Sequence, residues 1–407
     1  MFRLSGFLLL TLLLSACSNQ QYRYEAFEQF DIESRAETRD SNNFQVRSAV
    51  LSDADAEALF GITMQDRDVQ PVWLEITNND TDLARVAISS VDPKYFPPAE
   101  VAYFFRKEFS KEGWMALEER LMELALPRFV LPGETVSGFV FTNHTTGTKA
   151  FNLDIFLGSL PPTFEQFTFF LTEPGFEPDH ASIRFRDLYD ETETIQVDST
   201  GLNSVLEDFE CCTQNHDGSE RGRPVNIFIV SDAHDLLRAL LRAGWLETPR
   251  SQTEEKTNPH YLFGRPADGV FRTPRDKKTD RSQLRLWKSP VVVDGKPMWA
   301  GQLLHAIGSK FELQEKLFGI HVDPDTIDGR NYVLQSFWYA QSLEQWALSP
   351  TGIKVPQDSP VKDFQGNSWF SPDKQRVVIW VSPTPVSMTE AIELKWSDSH
   401  NSGGDQQ

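Results

Sequence analysis

The sequence predicts an α+β chain of several domains: a β-sandwich with a helical insertion, then a mixed α/β domain. Three observations carry this. Short alternating runs punctuated by turn residues dominate the first part. A continuous apolar run, Val225 to Val230, is followed at once by a helix-period pattern. Between them, residues 173–200 hold Pro174, Gly175, Pro178 and a charge cluster from Asp187 to Glu193, which reads as a bridge.

The sandwich is read over residues 44–172. Gln45–Val50, Pro71–Thr77, Arg85–Ile88, Glu134–Phe141 and Phe151–Phe156 are its strands, with Asn78-Asn79-Asp80 as a turn. Several short strands with this punctuation suggest an immunoglobulin-like antiparallel sandwich. The helical insertion runs from about Pro98 to Leu126, where Phe104, Phe105, Phe109, Leu117, Leu121 and Leu124 recur at helical spacing.

The α/β domain is read over residues 201–396. Ser231-Asp232 is a plausible N-cap, Leu236, Leu237, Leu240 and Leu241 form one helix face, and Gly244 ends it. Further strands are expected at His260–Phe263, Gln283–Trp287, Lys296–Leu304 and Arg376–Val381. A long helix is expected from Ile327 to Leu348, stopped by Pro350. Residues 397–407 are small and polar, and read as a disordered tail.

The chain has 407 residues, with 59 Asp plus Glu against 39 Lys plus Arg. That balance argues against wholesale nucleic-acid binding, which needs a basic footprint, and against lying on an anionic membrane surface. Ten Trp and 30 Phe point to large cores, with a minority free to line a groove.

The N-terminus carries a different signal. Arg3 precedes the apolar run Gly6–Leu14, which is shorter than the ~20 residues needed to span a bilayer. Leu14-Ser15-Ala16-Cys17 follows, and it resembles the lipobox of bacterial lipoproteins. The resemblance implies that residues 1–16 are a signal peptide and that Cys17 is lipidated and becomes the new N-terminus. Two or more acyl chains anchor a protein stably. Residues 17–43 then read as the lipidated Cys and a flexible spacer. Ser18 after the cysteine, in place of Asp, implies delivery to the outer membrane of the cell envelope. The expected partners are the membrane, through the lipid, and an envelope protein.

Only Cys211 and Cys212 remain besides Cys17, so no disulfide framework is available. The adjacent pair allows three readings: two ordinary loop cysteines, a bond between neighbours, or a metal cluster with His216 and Asp217 that fits no standard zinc spacing.

His321-Val-Asp323-Pro-Asp325, with Asp328, is the sharpest polar cluster. It could hold a divalent cation, the one cofactor the chain suggests. However, Ile327 and Gly329 break the Ca²⁺-loop pattern. Asp residues before a long helix also serve as caps, with Asp328 expected near the cap. Arg285, between Leu284 and Trp287, could pair with Asp323 or Asp328, or bind an anionic ligand. Arg330 is a further candidate for pairing or ligand contact. His234 and His305 stand beside apolar residues and read as structural. The chain has no Gly-x-Ser-x-Gly elbow, phosphate loop or His-Glu-x-x-His motif.

Four blocks bear a further likeness. They are Pro224–Ile227 running to Gly244-Trp245, Leu262–Arg265, Arg285–Trp287 with Gly295–Gly301, and His321–Asp325 through Arg330. Together, over about residues 195–395, they resemble the C-terminal domain family named after LssY. The resemblance implies a fold class and a cell-envelope setting, and it supplies no reaction. The expectation is therefore an accessory protein that binds a ligand or partner. The alternative is an envelope hydrolase using His321, Asp323, Asp325 and Arg285.

Overall fold

The computed structural model describes residues 21–158, 163–249, 259–274, 280–311 and 318–396. They form an α+β protein of two compact units. One holds the residues up to His144 together with Asn152–Phe167; the other holds Thr145–Phe151 and the residues from Thr168 on. Among the described residues no helix is long and apolar enough to cross a membrane.

The first unit is built on strands β1 (Glu37–Asp40), β2 (Phe44–Val50), β3 (Val69–Asn78), β4 (Ala84–Ala87), β5 (Phe129–Val130) and β6 (Thr135–Asn143), with β7 (Thr148–Leu157) from Asn152 on and β8 (Thr163–Thr172) up to Phe167. They make two four-stranded sheets, ordered β1-β2-β3-β6 and β5-β4-β7-β8. Helices α1 (Asp53–Phe60), α2 (Ile88–Val91), α3 (Pro98–Phe104) and α4 (Lys111–Glu123) lie between strands in sequence. Seven of the first eight residues of β3 are buried, unlike a strand with one wet face. The cause is double cover. Trp73, Phe139 and Phe141 pack against Leu59, Phe60, Val101, Leu117 and Leu121 of the helices. Phe44 meets Phe167 edge-on from the second sheet, with ring centres 6.2 Å apart. The helices at 98–123 are thus a layer over a sheet face, broken at Ser110, whose side chain caps α4 by accepting the Gly113 amide.

The spacer expected over residues 17–43 does not hold for its described part. β1 pairs with β2 from Glu37↔Ser48 to Asp40↔Gln45, and Tyr22, Phe27, Phe30 and Ile32 join the helical core. Four apolar side chains among polar neighbours are enough to anchor the segment. Cys17 and residues 1–16 lie outside the described residues, as does the tail at 397–407.

The second unit contains β9 (Ile195–Val197), α5 (Leu202–Glu207), β10 (Cys212–Gln214), β11 (Arg221–Pro224), β12 (Ile227–Val230), α6 (Ala233–Arg242), β13 (Leu246–Glu247), β14 (Tyr261–Leu262), β15 (Arg265–Pro266), β16 (Gly269–Pro274), β17 (Asp280–Val293), β18 (Lys296–Phe311), β19 (Phe318–Val322), α7 (Thr326–Tyr339), β20 (Leu343–Ser349), β21 (Val361–Lys362), β22 (Ser368–Trp369), β23 (Arg376–Val381) and β24 (Ile392–Glu393). Ten strands form one sheet, ordered β13-β16-β17-β18-β12-β23-β20-β24, with β19 on β18 and β9 on β17. β12 and β23 run parallel at its centre and are buried throughout. Alternate side chains serve two cores. Ile227, Ile229, Leu284 and Leu286 pack under α6 and α7, whereas Phe228, Val230, Trp287 and Trp380 pack with Leu202 and Leu206 of α5.

Two boundaries differ from expectation. Residues 173–200 are not a bridge between bodies: β9 adds to β17 and Phe185 packs on the α6 core. The long helix stops at Tyr339. Gln341 takes φ 56° and the chain turns into β20, so Trp346 lies on a strand paired with Ile379. Bulky residues at 338 and 346 suit either period, and the backbone reversal decided between them.

Candidate functional site

Arg285 reaches its place by strand alternation. Its neighbours Leu284 and Leu286 enter the α6 core, so Arg285 emerges on the opposite face of the sheet. It is 4% exposed. Across the ladders it faces Val270 of β16 and Gln302 of β18. Its Nη1 donates to Gln302 Oε1 at 3.5 Å and its Nη2 to Gln283 Oε1 at 3.3 Å.

Gln302 ties this arginine to a buried polar network. Its Nε2 donates to Thr213 Oγ1 at 2.8 Å and to the Arg223 carbonyl at 3.1 Å. Thr213 Oγ1 lies 2.9 Å from His260 Nδ1. Gly222 makes room for the network, because a Cβ there would run into Thr213 Oγ1 and His260 Nδ1. Burial, and then the Arg285 charge, hold the His260 imidazole far below its ordinary value, at about 3. The Gln365 side chain pulls it up and Arg223 pushes it further down. His260 is therefore neutral at physiological pH. Arg223, 2% exposed, is itself lowered to about 10, first by burial. Asp363 and Asp323 oppose that shift and Arg285 adds to it.

A cavity of ≈ 550 Å³ opens on this face. Its walls include Asp179, Arg184, His260, Arg265, Asp268 and Arg285. Arg265 is fully engaged: Nε and Nη2 hold both Asp268 carboxylate oxygens at 2.9 and 2.8 Å, and Nη1 donates to Tyr189 at 2.8 Å. Asp179 is different. Its Oδ2 accepts the Val270 amide at 3.0 Å, while Oδ1 is buried with no hydrogen-bond partner. Burial raises this carboxyl to about 6, against the pull of His180 and two backbone amides. Beside it, His180 Nε2 lies 2.9 Å from Glu247 Oε1. Burial alone would raise Glu247, but bonds from His180 and the Thr148 amide outweigh it and leave the carboxylate low. On the other face of the same strands, Phe271, Leu286 and Trp299 line a smaller apolar cavity of ≈ 220 Å³.

The segment from His321 to Arg330 is arranged as a helix start. Asp325 is the N-cap of α7 and accepts the Ile327 amide at 2.8 Å. Asp323 Oδ1 accepts the Asp325 amide at 2.9 Å. Asp328, expected near the cap, is exposed in the first turn. Burial raises the Asp325 carboxyl above its ordinary value. Arg330 is buried and pairs with Asp373 at 2.7 Å. The guanidinium hydrogen-bonded to this segment is that of Arg223, to the Asp323 carbonyl at 2.7 Å. The side chain of His321 lies outside the described residues; its backbone pairs with Gly308.

Cys211 and Cys212 are joined to each other by a disulfide. Bonded sulfurs offer no thiolates, so the metal reading of the pair falls away. Thr213 follows directly and enters the polar network.

Residues 204–374 match the family model described as LssY C-terminus. The C-terminal half resembles that family. No curated protein matches the chain. The LssY-like stretch includes Thr213, Arg223, His260, Arg285, Gln302 and Asp325, while Asp179 lies upstream of it.

Sequence reasoning reached Arg285 but missed Asp179, Thr213, Arg223, His260 and Gln302. Asp179-His180 sat in a segment read as bridge. His260 was read as part of a strand. The available signal was a polar residue inside an apolar run, as at Gln302 in Trp299–Leu304.

Proposed function

We propose that this chain is a lipid-anchored accessory protein of the cell envelope whose C-terminal unit binds a small ligand. The observation that carries the reading is the ≈ 550 Å³ cavity with buried Arg285 in its wall. That volume falls within the range of small-molecule sites. Leu14-Ser15-Ala16-Cys17 supports the anchor, with Ser18 favouring the outer membrane. The first unit, taken as an immunoglobulin-like sandwich, serves as spacer or adaptor toward an envelope partner protein. The reading calls for no cofactor. A divalent cation at Asp323 and Asp325 would have to displace the bonds these carboxylates make to the Asp325 and Ile327 amides.

A hydrolase is the second reading, and one observation favours it. Asp179, raised to about 6 with a buried Oδ1 that has no hydrogen-bond partner, suits a general acid near neutral pH. The hydrolase would then draw on the cavity, while Asp325 caps α7 and Asp323 accepts the Asp325 amide.

The test is a thermal-shift screen of small envelope metabolites on protein beginning at Ser18, with Ser182→Trp as the blocked form. Ser182 is an exposed residue lining the cavity, so the indole fills space without disturbing the core. The expected result is a stabilising ligand whose effect Ser182→Trp abolishes. No stabilising ligand, together with full complementation of a deletion strain by Ser182→Trp, would sink the reading.

A further inference from the structure

A second candidate site lies on the other face of β16 and β17, apart from the cavity around Arg285. The ≈ 220 Å³ cavity there is walled by Phe185, Leu236, Leu237, Phe271, Leu286 and Trp299. An apolar cavity of ~150 Å³ already holds benzene. The polar groups that border it from β16 and its approach are turned to other partners. Asp268 holds the Arg265 fork and accepts the Lys288 amide, and His180 Nε2 lies 2.9 Å from Glu247 Oε1. The hollow therefore offers hydrocarbon and ring surface, which favours an apolar chain over a hydrated one.

Its surroundings have a different character. A cavity of ≈ 580 Å³ shares Phe185, Ala233, His234 and Trp299 with the hollow, so the two adjoin. It adds Arg184, Arg186 and Lys288 against Asp187 and Asp232. In a chain of formal net charge −20, three cations against two carboxylates is a local reversal of sign. Arg184 and Arg186 are exposed, and neither guanidinium makes a hydrogen bond or ion pair among the described residues. Lys288 has a structural task. It donates to the Phe185 carbonyl, and the Phe185 ring, which borders both cavities, meets Trp299 edge-on with ring centres 5.2 Å apart. A dry hollow beside two uncommitted guanidiniums matches a molecule with one apolar tail and one anionic head. A neutral apolar molecule leaves the guanidiniums unused, and a small hydrated anion leaves the hollow empty.

We propose that these adjoining cavities bind a medium-chain fatty acid, with its chain in the apolar hollow and its carboxylate at Arg184 and Arg186. Isothermal titration on protein beginning at Ser18 would use octanoate, butyrate, octanol and octylamine, each below its aggregation limit. Octanoate should bind at least about tenfold more tightly than butyrate, because four methylenes are left out of the hollow. It should bind about threefold or more tightly than octanol, the scale of contacts to exposed charges, and octylamine should bind more weakly than either. Arg184→Gln combined with Arg186→Gln should erase the preference for octanoate and leave octanol unchanged; both sites are exposed, so the core is not disturbed. Ala233→Trp, at the junction of the two cavities, should abolish binding of octanoate and octanol alike. Circular dichroism checks its fold, and the arginine variant decides if it does not fold. Ser182→Trp obstructs the cavity around Arg285 and should leave octanoate binding unchanged, so this proposal and the ligand reading of that cavity fail separately. Butyrate, octanol or octylamine binding as tightly as octanoate would overturn the proposal. So would an intact preference in the double arginine variant, or loss of octanoate binding in Ser182→Trp. Silence in every arm overturns it too.

Discussion

Asp179 is fastened to the backbone directly opposite Arg285. Its Oδ2 accepts the Val270 amide at 3.0 Å, and Val270 and Arg285 are partners across β16 and β17. Residues 106 positions apart in sequence thereby line one cavity. One is a carboxyl pushed up by burial, the other a buried guanidinium.

The Asp179 carboxyl titrates at about 6 in the fold, against ~4 when unfolded. Between those values the unfolded chain loses its proton first. Stability from this group is therefore greatest below pH ~4 and falls as pH rises to about 6. His180 pulls the carboxyl down and Glu247 pushes it up, and neither outweighs burial. Asp179→Asn should gain about 1–2 kcal/mol over wild type at pH 7 relative to pH 4, allowing for partial solvation. Urea unfolding of both proteins at the two pH values measures this. An equal difference at both would contradict it.

Thr213→Val keeps the shape of the side chain and removes its hydroxyl. His260 Nδ1 then loses its 2.9 Å partner in a buried site, and Gln302 loses one of two acceptors. The expected cost is about 1–3 kcal/mol, with Thr213→Ser milder. Denaturant midpoints decide; a neutral Thr213→Val would mean that the network does not bear on stability.

At the start of α7, three substitutions should rank by burial and bonding. Arg330→Leu removes a buried guanidinium that holds Asp373 at 2.7 Å and the Gln375 carbonyl at 2.8 Å. It should cost about 2–3 kcal/mol, less than a fully buried pair because Asp373 can rehydrate. Asp325→Ala removes a cap worth about 1 kcal/mol. Asp328→Ala, on the surface, should stay within ~0.5 kcal/mol. If Asp328→Ala proves the most damaging, the capping account of this segment is wrong.

Cys17→Ala should release the protein from membranes. Carbonate-washed membrane and soluble fractions of cells expressing each form report it. Retention of the variant in the washed membrane would remove the lipid anchor from the functional proposal.

The elements most legible in the sequence were those whose own residues carry the period. Ile227–Val230 and Val377–Val381 are apolar throughout because the central strands are covered on both faces. Leu236, Leu240 and Ala239 share the buried face of α6. Trp346 was assigned to a helix because its spacing from Trp338 suits helix or strand. Residues 21–43 were assigned to a spacer because Tyr22, Phe27, Phe30 and Ile32 gain their cover from helices far along the chain. The Asp residues at 323–328 were visible as a capping cluster, although the cap fell to Asp325.

What the sequence by itself determined is local: the likeness of Leu14-Ser15-Ala16-Cys17 to a lipobox, the acidic balance, the strand-helix unit from Val225 to Gly244, and the presence of Arg285 on a strand. What only the tertiary structure decided is which polar side chains share a wall. Alternation puts Arg285 on one face or the other, but only the register of β16, β17 and β18 brings Val270 and Gln302 beside it. Only the return of the chain at residue 179 delivers a carboxyl there. A polar residue's role depends on its partners' positions, and those come from contacts distant in sequence, which leave no period to read.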